Sequence, residues 1–164
     1  MFGENHAHIF MNGLNYRAAV NCHKSGVNTD IIHEHFRAYQ EKGVSFVRDG
    51  GDALGVSEKA REIASQYGIT YRTPVFAIHK KGHYGGIVGR PFENMKEYAD
   101  LVKEVRKRGG DFIKIMTTGI MNFDMDGSVT EEPLRFDEVK EMVHILSQYQ
   151  RIFIILCGRK GAYI

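Results

Sequence analysis

Two histidines near the beginning of the chain have the spacing of a metal-binding pair. His6 and His8 lie in the segment 3–11, which is short and mostly apolar and therefore predicts a buried strand. Because side chains alternate across a strand, both imidazoles share one face, with Cα atoms roughly 6.6 Å apart. Two rings at that spacing can converge on one divalent cation, at about 2.0–2.1 Å for zinc. Two packed or solvated histidines on an ordinary strand are the alternative interpretation.

A lysine in a second apolar run could complete such a site. Lys114 lies in the middle of the predicted strand 111–117. Buried lysines are unusual without a partner, so an interior ion pair with Glu4 or Asp49 is one interpretation. An ammonium group repels a cation and offers no lone pair. Lys114 therefore becomes a ligand only if carbon dioxide converts its amine into a carbamate, an anion that can bridge two ions.

Composition limits the classes of protein that fit this chain. A length of 164 residues is enough for one domain with a core, and 43% hydrophobic with 26% charged residues excludes a disordered chain. The net charge of +2 is too small to argue for nucleic-acid or membrane partners. No apolar run reaches the ~18 residues of a membrane span, and no secretory signal is visible. Cys22 and Cys157 form no Cys-x-x-Cys motif, so a reducing cytoplasm is the predicted location.

The hydrophobic pattern predicts strands that alternate with helices. Predicted strands cover 3–11, 44–49, 69–78, 111–117 and 151–157, and predicted helices cover 16–23, 29–42, 57–67, 93–108 and 136–149. Pro74 predicts a bend or a poorly paired position within the third strand. Four strand–helix units and a fifth strand indicate an α/β fold with right-handed βαβ connections and a parallel sheet, in a single domain over 1–164.

Four segments together resemble the amidohydrolase superfamily of metal-dependent hydrolases. The resemblance is closest to the branch with imidazolonepropionases and the Xaa-Pro dipeptidase or carboxypeptidase-like enzymes, and the order and spacing of the segments agree across 3–145. His6-Ala7-His8 matches the His-x-His of the family's first strand, 43–51 resembles its second strand and turn, 82–86 resembles its Gly-Gly-His loop after strand three, and 110–119 is similar to its fourth strand.

The resemblance implies a fold, a metal and an activity. The fold would be a partial TIM-type (β/α) barrel, the N-terminal half, with about four βα units plus a fifth strand. His6, His8 and a carbamylated Lys114 would bind one or two divalent ions, most simply zinc. Metal-activated water would hydrolyse a C–N bond in a small amide, cyclic amide or peptide. His83 would contact the substrate, with a solvent-exposed loop histidine as the alternative, and His79 is a weaker candidate for the same role.

Departures from the family pattern predict a reduced activity. Glu4 stands where the family usually has aspartate, and 151–158, in the place of strand five, contains no histidine. The family's metal histidines on strands five and six and its strand-eight aspartate have no counterpart, so we expect a truncated or frame-shifted chain with weak or no hydrolysis alone. A non-catalytic metal-binding or oligomerising remnant is the alternative. Open edges of half a barrel also predict a homo-oligomer.

Overall fold

The computed structural model describes residues 2–120, 122, 124–125 and 128–149, together with the backbone of 153–157. The chain divides into two compact units, Met1–Val75 and Phe76–Ile164. Both contain helices and parallel strands, which confirms the predicted α/β class. The predicted single domain over 1–164 stays a prediction. The segment 158–164 lies outside the described residues.

The first unit contains a three-stranded parallel sheet in the order β1-β2-β3. Its strands are β1 (Phe2–Ala7), β2 (Val44–Asp49) and β3 (Thr70–Arg72). Its helices are α1 (Tyr16–Asn21), α2 (Thr29–Glu41) and α3 (Val56–Ile63), and α3 is followed by a 3-10 turn, Ala64–Tyr67. The predicted first strand is thus shorter than 3–11, and the helices lie where the pattern placed them.

Helix α2 shows why the sequence folds locally as it does. The Asn28 side chain accepts a hydrogen bond from Asp30 N at 3.1 Å, which satisfies one of the backbone donors at the start of the helix. Ile32 and Phe36 lie one turn apart and are fully buried. The Phe36 ring packs edge-on against Tyr71 of β3, with centroids 5.7 Å apart. This buried stripe fixes α2 against the sheet that carries the first histidine.

The sequence predicted one continuous strand over 69–78, and this prediction is wrong. The segment forms β3 and, in a different sheet, β4 (Ala77–Lys80). Pro74 has no N–H to donate, as expected from its position, and Val75 has a φ of 69°, a left-handed conformation that is rare for a β-branched residue. The hydroxyl of Thr73 accepts from Val75 N at 3.0 Å, and Val75 O accepts from Asp52 N at 3.1 Å. These two hydrogen bonds stabilise the backbone conformation of Val75, where the strand is interrupted.

The second unit contains a four-stranded parallel sheet in the order β5-β4-β6-β7. Its further strands are β5 (Gly89–Phe92), β6 (Phe112–Met116) and β7 (Phe153–Cys157), and its helices are α4 (Met95–Lys107) and α5 (Phe136–Ser147). The sequence predicted a loop over 79–90. That prediction is wrong for the last two residues, 89 and 90, which belong to β5. A four-residue strand with an internal proline gives little periodic signal.

Helices α4 and α5 pack on this sheet through their apolar stripes. Tyr98 and Val102 of α4 are fully buried, as is Met142 of α5. The Tyr98 hydroxyl donates to Met142 O at 3.4 Å, so the two helices are joined by a polar contact inside an apolar layer. Across the described residues, no helix has the combined length and apolar character that crossing a membrane requires.

Candidate metal centre

The structure brings His6 and His8 together. His6 is in β1, and His8 follows Ala7, the last residue of the strand. The ring centroids lie 5.4 Å apart at an interplanar angle of 51°. His6 is exposed and His8 is half-buried, so both rings are accessible from outside the core. The proximity predicted from the alternation of a strand is confirmed, whereas metal binding by the pair stays a prediction.

The orientation of His8 is set by a backbone carbonyl. His8 Nδ1 lies 2.9 Å from Gly51 O. A carbonyl oxygen only accepts hydrogen bonds, so Nδ1 carries the proton and, in the neutral ring, Nε2 carries the lone pair. Metal-binding histidines are commonly held this way, with one ring nitrogen donating to a carbonyl or carboxylate and the other facing the metal. His8 thus has the tautomer that a ligand needs.

Asp49, at the end of β2, holds the two loops that meet at His8. Its side chain is 1% exposed. Oδ2 accepts from Ile9 N at 2.7 Å, and Oδ1 accepts from Gly51 N at 2.6 Å. Burial raises the pKa of the Asp49 carboxyl from 3.8 to about 6, against the opposing effect of these two N–H groups and of the Tyr71 hydroxyl. Asp49 therefore fixes both the residue after His8 and the residue that orients its ring.

A cavity borders His8 within the first unit. Its volume is about 290 Å³, close to the lower end of the range for small-molecule sites. His35 of α2 helps to close it, since its Nδ1 lies 2.7 Å from Ile9 O. Tyr39 and Lys42, also on the side of α2, add a hydroxyl and an ammonium to the lining. The candidate ligand His8 thus adjoins a space with hydrogen-bond donors and apolar walls.

Lys114 is buried in β6 of the second unit, at 3% exposure. Its place in the middle of a strand was predicted, and so was its burial. The register pairs Ile115 with Ile78 and Met116 with His79 on β4. The ion pair of Lys114 with Glu4 or Asp49 and its role as a ligand beside His6 and His8 both stay predictions.

His83 lies in the turn that follows β4. Its backbone N donates to Lys80 O at 3.0 Å, and its side chain is half-buried. Gly82, immediately before it, has a φ of 80°, a conformation that glycine adopts without strain. The turn therefore holds His83 close to the end of a strand. The half-buried side chain is compatible both with contact to a substrate and with an ordinary loop histidine. Its predicted role in substrate binding stays a prediction.

His79 is more deeply placed than the sequence indicated. The predicted loop 79–90 began with this residue, but it is the third residue of β4 and is 5% exposed. Its Nδ1 lies 3.0 Å from Lys80 O, and its Nε2 is buried with no hydrogen-bond partner among the described residues. Burial lowers the pKa of His79. The only sequence signal was its position at the end of the apolar run 75–78.

Within the part of the chain that the structure describes, no group of three or more His, Cys, Asp or Glu side chains is arranged to hold a metal ion. The predicted ligand set contains two residues of these types, His6 and His8, and a lysine. The histidines belong to the first unit, and Lys114 belongs to the second. The described geometry therefore supports a histidine pair and a separately buried lysine.

Comparisons with known proteins find a fold but no family. No family model matches the chain, and no curated protein matches it. A solved structure of an uncharacterised protein matches 94% of this chain and 41% of its own, at a TM-score of 0.68 and 18% identity. A Xaa-Pro dipeptidase with bound methionine in its active site matches 93% of this chain and 41% of its own, at a TM-score of 0.61 and 17% identity.

These matches show that the chain has the fold of a part of both proteins. The chain spans about two fifths of the length of each. At identities this low, the likeness concerns backbone architecture and not the residues of a site.

Proposed function

We propose that this chain carries the first part of a metal-dependent hydrolase of the amidohydrolase type. The reaction would be hydrolysis of a C–N bond in a small amide, cyclic amide or peptide. The observation that carries the proposal is the His6–His8 ring pair, in which Nδ1 of His8 is bound to the Gly51 carbonyl. The fold likeness to a Xaa-Pro dipeptidase supports it and is compatible with a partial (β/α) barrel.

The proposed ligands are His6, His8 and a carbamylated Lys114, and zinc is the metal that best suits them. Imidazole nitrogen is a common zinc ligand, and a carbamate provides an anionic oxygen like that of aspartate. The carbamate forms when the neutral Lys114 amine adds to the carbon of carbon dioxide and loses one proton, so that a new Nζ–C bond gives –NH–COO⁻. The burial of Lys114 supports a chemical role for this side chain, because lysine is rarely buried without a partner.

Each residue has its own part in the proposed reaction. A divalent ion held by these residues would supply activated water and would polarise the substrate carbonyl. His8 offers the Nε2 lone pair, while Gly51 and Asp49 keep its ring in place. His83 is proposed to contact the substrate. The family's proton shuttle has no assigned counterpart in the described residues, so we expect slow hydrolysis, or none, from the chain alone.

An oligomerising remnant of such a hydrolase is the second candidate. Within the described residues of the first unit, β1 is hydrogen-bonded to a single neighbour, β2, and therefore presents a sheet edge. Phe2 on this strand is 68% exposed. An edge strand with an exposed aromatic side chain favours pairing with another chain. We propose a homo-oligomer on this ground; the predicted cytoplasmic location stays a prediction.

Metal content tests the proposal directly. The full chain is purified after expression with zinc and bicarbonate, and bound metals are measured by mass spectrometry. We expect one to two equivalents of a divalent metal in the native chain and a loss of most of it in the His6→Ala, His8→Ala double variant. His144→Ala is the matched control, because His144 is an exposed histidine on α5. A native chain without bound metal under these conditions would contradict the proposal.

A further inference from the structure

The arm, residues 11–28, joins the loop after β1 to helix α2 and contains few buried side chains. The structure describes this segment in full, and its buried residues are Ala19 and His23, at 5% and 3% exposure. By contrast, Leu14 is 92% exposed and Tyr16 is 49% exposed. Segments with few buried apolar contacts open locally at a low cost in free energy. The attachment of the arm therefore depends strongly on its polar anchor, His23.

His23 holds the end of the arm through both its backbone and its ring. Its carbonyl oxygen accepts a hydrogen bond from Gly26 N at 3.2 Å, and its Nδ1 accepts one from Asn28 N at 3.1 Å. Asn28 in turn caps α2, since its side chain accepts from Asp30 N. The ring of His23 thus ties the last residues of the arm to the start of the next helix.

The hydrogen bond from Asn28 fixes the tautomer of His23. A backbone N–H only donates, so Nδ1 carries the lone pair and, in the neutral ring, Nε2 carries the proton. Nε2 is buried and has no hydrogen-bond partner among the described residues. A second proton must be added at Nδ1, where it would face the Asn28 N–H, donor against donor. Protonation of the ring is therefore incompatible with this contact.

The surroundings of His23 also oppose a charge on the ring. Burial is the largest effect and lowers the pKa of His23 from its ordinary value of 6.5. The Asp52 carboxylate acts in the opposite direction, but it binds backbone N–H groups at the start of α3 and not the ring. His35 of α2 adds to the lowering of the pKa through its positive charge. The neutral ring, and with it the attached arm, is thus favoured at neutral pH.

The other end of the arm borders the cavity beside His8. Residues 11–13 form part of the cavity wall, together with His35 and Tyr39 of α2. The Asn12 side chain accepts from two backbone N–H groups further along the arm, at 3.0 Å each. These hydrogen bonds lie within the arm and do not tie it to α2 or to the sheet. A displacement of the arm would therefore change the access to the cavity.

We propose that the arm is a pH-sensitive lid on this cavity, which acid opens by protonating His23. The proton added at Nδ1 replaces the hydrogen bond from Asn28 N, and the arm leaves the unit while the sheet stays folded. The attached arm holds a neutral ring, whereas the released arm holds an ordinary histidine that binds a proton more tightly. The lid is therefore closed above pH ~6.5 and opens as the pH falls below it. It depends neither on metal binding nor on the proposed hydrolysis.

Hydrogen exchange of the full chain, measured by mass spectrometry, tests the lid. Exchange of the backbone amides is compared at pH ~7.5 and pH ~5, after correction for the intrinsic pH dependence of exchange. We expect the protection of amides within 16–28 to fall by at least about tenfold at the lower pH, while β2 stays protected. Equal protection of the arm at both pH values would overturn the inference.

Two matched variants separate His23 from other titrating groups. In His23→Asn the amide oxygen preserves an acceptor near the position of Nδ1 but does not titrate. We expect the pH dependence of arm exchange to vanish in His23→Asn and to persist in His144→Asn, which changes an exposed histidine of α5. A pH dependence of undiminished size in His23→Asn would assign it to another group, such as His35, and would refute the role of His23.

The tautomer provides a test on the native chain that needs no variant. Long-range ¹H–¹⁵N spectra of histidine-labelled protein should show His23 with a protonated Nε2 and an unprotonated Nδ1 at neutral pH. The midpoint of its titration should lie below pH ~6.5 and coincide with the midpoint of arm exchange. A protonated Nδ1 at neutral pH, or a ring that titrates while the arm stays protected, would contradict the lid.

Discussion

At the scale of single residues, the candidate centre depends on how its histidines are held. Asp49 binds Ile9 N and Gly51 N, and Gly51 O binds the His8 ring. The sequence predicted the His6–His8 pair, because alternation along a strand is a local property. It did not predict the role of Asp49, since two loops that are forty residues apart must first meet. The burial of His79 was equally hidden, because it depends on the path of the chain at Gly85, which packs against the His79 ring.

Removal of the Asp49 carboxylate should weaken both the fold and the metal site. Asp49→Ala leaves two backbone N–H groups without their acceptor, at about 1–3 kcal/mol each in free energy of unfolding. Zinc affinity should fall about 10–100-fold, because His8 loses its support. Urea unfolding and zinc titration measure the two effects. Asp100→Ala, at an exposed ion pair with Lys103, is the control. Unfolding and zinc affinity equal to those of the control would exclude this role.

The pKa of Asp49 predicts a pH dependence of stability. Because the folded-state pKa is raised from 3.8 to about 6, the folded chain binds the proton more tightly than the unfolded chain. Its contribution to stability is therefore complete below pH ~4, and up to about 3 kcal/mol of it is lost as the pH rises to ~6. Urea unfolding at several pH values, with Asp49→Asn as a reference without this titration, should show the difference. Parallel pH profiles of the two chains would contradict it.

At the scale of elements, long periodic segments were predictable and short ones were not. The helices at 29–42, 93–108 and 136–149 were predicted within a few residues, since each has a buried stripe and a clear start. The third strand failed, because the break at Val75 depends on hydrogen bonds with Thr73 and with the region of Asp52. Short strands such as β5 are specified by their neighbours more than by their own sequence.

Close approach of β4 and β5 requires a glycine. A Cβ atom at Gly89 would lie 2.1 Å from Ala77 O, in the strand that carries His79. We expect Gly89→Ala to lower the free energy of unfolding by at least about 2 kcal/mol, because the two strands must separate. Gly86→Ala is the matched control, since no heavy atom lies within 4 Å of its added Cβ. Urea unfolding should find the control within about 0.5 kcal/mol of the native chain. A comparable stability for Gly89→Ala would mean that the strands are not held this closely.

At the scale of the whole molecule, the chain shares its fold with part of larger proteins. The likeness covers 94% of the chain and 41% of the first of these structures. A TM-score of 0.68 at 18% identity shows a shared backbone architecture and nothing beyond it. The likeness of fold therefore does not establish that this chain has the activity, the substrates or the partners of the larger proteins.

The exposed edge at β1 predicts self-association. Sizing chromatography with light scattering at micromolar concentration should give a mass of at least two chains. Phe2→Lys, which places a charge on the edge strand, should shift the population toward the single chain, because charged edges oppose pairing. Leu14→Lys is the control, since Leu14 is 92% exposed outside β1. A monodisperse single chain that binds no dye for exposed apolar surface would contradict the prediction.

Anomalous diffraction at the zinc edge, from crystals of the full chain grown with zinc and bicarbonate, tests the central claim most directly. We expect a zinc peak at about 2.0–2.1 Å from imidazole nitrogens of His6 and His8. Electron density for a carboxylate on Lys114 Nζ should accompany it. A saturated crystal with no zinc at His6 and His8, or with an unmodified Lys114 that has no zinc near it, would contradict the proposed metal site.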